Sequence, residues 1–193
     1  MTFLEIFPRM VRDLCRDQQK EAELVINGGG IEIDRRILDE IKDPFIHLIR
    51  NCIDHGIEKP EIRTRSGKTA SGTIIISISQ LNNNQIEISV KDDGAGIDIA
   101  KVKDAALRRG MYSKKKLIQM TEQEIQSLIF ESGITTSSLI TDISGRGLGL
   151  AIVKEKIEKI GGQISFETIP EVGTSIKMLL PIKFFIPFSH MGI

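Results

Sequence analysis

Apolar residues recur at helical spacing near the start of the chain, where Ile6, Met10 and Leu14 predict a helix over residues 5–19 with Pro8 tolerated in its first turn. Residues 23–27 and 30–33 read as two short strands around Asn27-Gly28-Gly29, a tight-turn signal. Asp34 caps a helix running to residue 41, and Asp43-Pro44 sets an N-cap and a first-turn proline, so a second helix restarts there and ends at residue 55 before Gly56. The polar stretch 57–71, with Pro60 and Gly67, reads as a surface loop holding one helical turn. Residues 73–80 and 85–91 form an antiparallel hairpin. Asp98 opens a helix that stops at Gly110 after Arg108 and Arg109, and Thr121 with Glu124 makes a capping box for a helix to residue 130. Residues 131–147 are Ser, Thr and Gly with little apolar area to hold them rigid, which predicts a mobile segment. An amphipathic helix over 147–160 is stopped by Gly161-Gly162, and residues 164–169 and 174–180 form a second hairpin. The tail 184–193 is apolar and reads as an extension or truncated linker beyond a domain over 1–183.

The helix ending at Gly56 carries two stripes. Ile41, Phe45, Leu48 and Cys52 recur at steps of four, three and four, while His47, Arg50, Asn51 and Asp54 share the helical spacing on another face. The first stripe is core. The second is a solvated face with a satisfied histidine, or it is chemistry, because such groups beside a buried helix lose hydration and need partners.

Composition narrows the classes. At 193 residues the chain is long enough for one substantial core, and 26 basic against 26 acidic side chains leave no net charge to attract nucleic acid or an anionic membrane. Cys15 and Cys52 lack the short spacing of a zinc or redox motif. There is no signal peptide pattern and no apolar run near the ~20 residues of a membrane span, so the expected setting is cytoplasmic.

Two glycine segments turn the polar stripe toward chemistry. Asp92-x-Gly94-x-Gly96 follows a strand and sets one carboxylate beside positions where a flat ligand can approach the backbone; an ordinary Asp-Gly turn is the plainer reading. A purine amine is a suitable donor to that carboxylate. Gly145-Arg146-Gly147-Leu148-Gly149 opens a helix, where unpaired backbone NH groups and the dipole favour an anion, yet it lacks the P-loop lysine and the preceding strand of a dinucleotide fingerprint. Asn51 adds an amide oxygen suited to Mg2+, and the three pieces together call for Mg-ATP.

Residues 47–56, 92–96 and 145–149 resemble the asparagine box and the two glycine boxes of the GHKL ATPase family, and the wording HLIRN-x-x-DHG resembles the ATP-binding domains of CheA-type chemotaxis kinases. The resemblance extends from FPRMVRDL at residues 7–14 to Leu180-Pro181. It implies an α+β fold, a two-layer sandwich with helices on one face of a mixed, mostly antiparallel sheet. It further implies Asn51 as magnesium ligand, Asp92 as adenine ligand, and His47, Arg50 and His55 as catalytic neighbours of the triphosphate. The remaining nucleotide-binding positions it implies are Asp54, Gly94, Gly96, Gly133, Thr135, Thr136, Gly145, Arg146, Gly147, Leu148, Gly149 and Thr174.

Such domains phosphorylate a histidine on a separate phosphoacceptor domain that passes the group to a response regulator, with receptor or coupling proteins engaged through other domains. The chain departs from the family in its lid, where Ile134 and Ser137 stand in place of a phenylalanine and a lysine. Missing positive charge there weakens transfer more than binding, since it acts mainly in the transition state. His47 occupies the place where ATP-hydrolysing members keep a general-base glutamate, so hydrolysis is disfavoured. The alternative function is a nucleotide-binding regulatory module that phosphorylates nothing and switches through a ligand-ordered lid.

Overall fold

The computed structural model describes residues 3–82, 84–130 and 149–182. In chain order a 3-10 turn (Phe3–Ile6) leads into α1 (Phe7–Asp17), β1 (Ala22–Asn27), α2 (Arg35–Asn51), α3 (Pro60–Arg65), β2 (Gly72–Asn82) and β3 (Gln85–Asp92). Then follow α4 (Ile99–Arg108), α5 (Lys114–Gln119), α6 (Glu122–Ser127), α7 (Gly149–Lys159), β4 (Gln163–Ile169) and β5 (Gly173–Pro181). The expected lid at 131–147 and the tail at 184–193 lie outside the described residues.

The strands form a five-stranded sheet in the order β1-β2-β3-β5-β4. β1 runs parallel to β2 and the other neighbours are antiparallel. Alternation along the strands decides which face is covered, because successive side chains point to opposite sides. Ile74, Ile76 and Ile78 of β2, Ile86, Ile88 and Val90 of β3, and Ile176, Met178 and Leu180 of β5 are buried, while Ser77, Glu87, Ser89 and Lys177 between them are not. The buried set is continuous with residues of α1, α2, α4, α6 and α7. The result is the expected two-layer α+β architecture. Ring pairs join its parts: Phe7 meets Phe45 with centroids 5.7 Å apart, and Phe130 meets Phe166 edge-on at 6.1 Å.

Several local expectations are corrected. Residues 30–33 are not a strand, and β1 takes β2 as its partner, with Ala22 opposite Gly72 and Asn27 opposite Ser77. Gly28 does turn the chain, at φ +79°, but it tucks against the carbonyl of Ile78 instead of returning β1 on itself. Alternation identifies a strand and leaves its neighbour open.

α2 does not restart at Asp43-Pro44. It runs through a buried Pro44 from an Asp34 cap whose side chain accepts from Arg36 N, and it buries Ile37, Ile41, Phe45, Leu48 and Ile49 on one continuous face. Burying each large aliphatic contributes about 1.5–3 kcal/mol, which together outweighs the ~3 kcal/mol cost of an interior proline. The helical path ends at Gly56 as expected, but its last turn, Cys52–Gly56, is a π turn.

The stretch 57–71 contains α3, built around a fully buried Arg63, and α5 is a further helix capped by the Ser113 side chain. The remaining elements agree with the sequence to within a few residues, including the capping box of Thr121 and Glu124.

Candidate functional site

The π turn at the end of α2 is the centre of the site. A π turn widens the helix and frees carbonyls from the regular ladder, so outside donors must satisfy them. Here they come from the connector between α1 and β1. Lys20 Nζ donates to the carbonyls of Ile53 and, at 3.1 Å, of Asp54, and Gln18 Nε2 donates to the Asp54 carboxylate. Gln18 and Lys20 carried no sequence signal, because their partners lie more than thirty positions along the chain. Burial lowers the Lys20 ammonium below the usual lysine range, with Asp54 acting in the opposite direction.

Burial likewise lowers His47 and His55 below the ordinary imidazole value, again opposed by Asp54. Both shifts favour the neutral ring. Asn51 and Asp54 are half-buried and Arg50 is exposed, so the polar stripe forms a partly wetted flank beside the core stripe of Ile41, Phe45, Leu48 and Cys52.

Asp92 ends β3, flanked in register by Ile74 of β2 and Thr174 of β5, and is only 3% exposed. Its Oδ1 accepts from Gly94 N at 2.9 Å. Burial pushes its carboxyl up to about 6, while the Gly94 NH and the Cys52 thiol, both hydrogen-bonded to it, act to lower it.

The π turn rests directly on this carboxylate. A Cβ at Gly56 would lie 3.0 Å from Asp92 Cγ, and one at Gly94 only 2.2 Å from the Gly56 carbonyl. Ala95 N donates to Gly56 O at 2.9 Å. The absent side chains of Gly94 and Gly96 thus admit protein backbone, where the sequence suggested ligand. Gly96, at φ +68°, faces the Ile169 carbonyl, 2.3 Å from where its Cβ would sit.

Thr168 is a second residue without a sequence signal. Buried on β4, its Oγ1 accepts from Ile97 N at 2.7 Å and lies 3.3 Å from Thr174 Oγ1, fixing the end of the glycine turn to the β4–β5 hairpin.

The other side of α2 meets the start of α7. A Cβ at Gly149 would lie 2.2 Å from His47 Nε2. The structure therefore brings His47, Asn51, Asp54, His55 and Gly149 to one end of α2, and Asp92 and Gly94 against its π turn, with Thr174 in register beside Asp92 and Gly96 packed on the β4–β5 hairpin. Gly133, Thr135, Thr136, Gly145, Arg146, Gly147 and Leu148 lie outside the described residues. Among those described, no group of three or more His, Cys, Asp or Glu side chains could hold a metal ion, and no helix is long and apolar enough to cross a membrane.

Comparison with known proteins follows the same lines. The family model described as histidine kinase-, DNA gyrase B-, and HSP90-like ATPase matches residues 40–183. The chain is 42% identical over 181 residues to the chemotaxis protein CheA of Bacillus subtilis, covering 94% of this chain and 27% of that protein. It is 44% identical over 176 residues to CheA of Treponema pallidum, covering 91% of this chain and 21% of that one. It thus spans about a quarter of the length of these relatives. In fold it is similar to the catalytic domain of histidine kinase ThkA, with a TM-score of 0.56 at 18% identity over 93% of this chain and 90% of that one.

Proposed function

Because the chain belongs to the family of histidine kinase-, DNA gyrase B- and HSP90-like ATPases, we propose that it is the ATP-binding catalytic domain of a CheA-like histidine kinase. In this reading it acts on a phosphoacceptor histidine of a separate domain, and a response regulator receives the phosphoryl group. The observation that carries the reading is the meeting of one helix end with two glycine segments: Gly56 on Asp92 and Gly94, and His47 on Gly149.

The donor set fits Mg-ATP. A buried carboxylate, oriented by Gly94 N and Cys52, has acceptor lone pairs enough to take a further bond from the adenine amine, a charge-assisted bond that guanine cannot make. Asn51 offers a single hard oxygen, which suits Mg2+ because that ion keeps waters and phosphate oxygens in most of its coordination sites. When bound, the nucleotide supplies the transferable γ-phosphoryl group and the metal neutralises its charge.

The chain's own groups position and polarise. Arg50 brings permanent positive charge to the flank of α2, and neutral His47 and His55 can donate or accept hydrogen bonds without adding a repelling or competing charge. Asp54, tied by Gln18, fixes the orientation of the turn that carries His55. Residues 131–147 and the glycines 145–149 are assigned to the lid and phosphate cradle on sequence grounds.

The test is transfer from radiolabelled ATP to a separately supplied phosphoacceptor domain, with Asn51→Ala and Asp92→Asn as controls. Transfer by the wild type that both variants lose supports the kinase reading. Nucleotide binding without transfer to any histidine-containing acceptor favours the regulatory module instead.

A further inference from the structure

We propose that Lys68 and Arg63 are positioning residues for nucleobase recognition, orienting the Asp93–Gly94 peptide that aims the Asp92 carboxylate. The inference rests on the proposed role of Asp92 and adds residues that contribute no atom to the ligand.

The geometry is specific to one peptide unit. Its carbonyl, Asp93 O, accepts from Lys68 Nζ at 3.1 Å and from Arg63 Nη1 at 3.2 Å. Its amide, Gly94 N, donates to Asp92 Oδ1 at 2.9 Å. Two cations therefore hold one end of a planar group whose other end holds the carboxylate, and hydrogen bonds in such a chain polarise one another. Lys68 Nζ also donates to the next carbonyl, Gly94 O, at 2.7 Å.

The cations are themselves fixed. Glu58 accepts from Lys68 on Oε1 at 2.8 Å and from Arg63 on Oε2 at 2.9 Å, so one carboxylate sets the spacing of both. Arg63 Nη2 reaches Asp93 Oδ2 at 3.0 Å, and Asp93 Oδ1 accepts from Thr73 N at 2.8 Å. Arg63 Nε donates to Thr69 O at 2.8 Å, which closes the α3 loop around the cluster. A structural clamp alone would not require three hydrogen bonds from two cations to converge on the two carbonyls directly after the base-reading residue.

The test compares ATP and GTP affinities of the 193-residue chain, using displacement of a fluorescent ATP analogue, for wild type, Lys68→Met, Lys68→Arg and Val11→Ala. Val11 is a buried α1 residue away from the cluster and serves as the control for lost stability. In Lys68→Met, ATP affinity falls about tenfold while GTP affinity changes little, so discrimination between the bases collapses. Lys68→Arg recovers most of it, because a guanidinium can span the same acceptors. Val11→Ala lowers the melting temperature and leaves the ATP-to-GTP ratio unchanged.

An unchanged ratio in folded Lys68→Met overturns the proposal while leaving the role of Asp92 standing. Should that variant not fold, Lys68→Gln, which keeps an uncharged donor group, must show an intermediate ratio, and a wild-type ratio there overturns it equally. A wild type that does not prefer ATP removes the Asp92 reading, and the proposal with it.

Discussion

The imidazole of His47 lies directly against Gly149, so close that a methyl group at position 149 would sit 2.2 Å from Nε2. The carboxyl-terminal half of α2 and the first residue of α7 are thereby locked together, and one side chain reports on both. Gly149→Ala should cost about 1–3 kcal/mol by overpacking and should weaken ATP binding, because His47 must leave its place. Combining it with His47→Ala should restore most of the lost stability, a coupling of 0.5–3 kcal/mol in size. Chemical denaturation of the four proteins of that cycle measures it, and simple additivity would exclude the contact.

Asp92 makes stability depend on pH with a defined sign. Its folded-state value, about 6, lies above the ordinary 3.8, so the fold favours the protonated acid. That contribution is complete below pH 3.8 and is lost as pH rises through 6, leaving a buried charge at pH 7.5 that costs at most about 3 kcal/mol. Asp92→Asn should therefore be at least as stable as wild type at pH 7.5 and lose this advantage toward pH 4, as followed by thermal melts across that range.

The same carboxyl governs base binding in the opposite direction. The ionised form accepts from the adenine amine more strongly than the acid does, so ATP affinity should rise as pH climbs through about 6 and then level off. Asp92→Asn should be weak throughout and should lose the preference for ATP over GTP. An affinity profile of the variant that tracks the wild type would remove Asp92 from base recognition.

Magnesium dependence should reside in Asn51. Chelation of Mg2+ should weaken ATP binding by the wild type, and Asn51→Ala should bind ATP with the chelated affinity whether or not the metal is present. Equal affinity of the two proteins in saturating Mg2+ would show that the amide is not a ligand.

Arg63 carries a stability prediction separable from its effect on the site. Replacing it with Met leaves Glu58 and Asp93 without their shared cation, and Arg63 is 1% exposed. The cost should be about 3 kcal/mol, the lower end for a broken buried pair because the Asp93 side chain is 38% exposed and partly solvated. The midpoint of urea unfolding gives the value, and a shift below 1 kcal/mol would show the cluster to be energetically idle.

The sequence by itself determined the alternation that sets the covered face of the sheet, most of the helices and the family resemblance from which the nucleotide ligand is proposed. Alternation in β2, β3 and β5, capping at Asp34, Asp98 and Thr121, and the wording of residues 47–56 and 92–96 are all local, and local rules read them. Tertiary structure decided what depends on partners far along the chain. β1 pairs with β2 because the strand pattern is indifferent to its neighbour, and α2 continues through Pro44 because its buried face outweighs the break. Gly94 and Gly96 are glycine because Gly56 and Ile169 approach them, a reason no spacing reveals. Lys20, Thr168, Arg63 and Lys68 were invisible for the same cause: each is an ordinary polar residue in its own segment, given a purpose only by a carbonyl or amide that folding delivers to it.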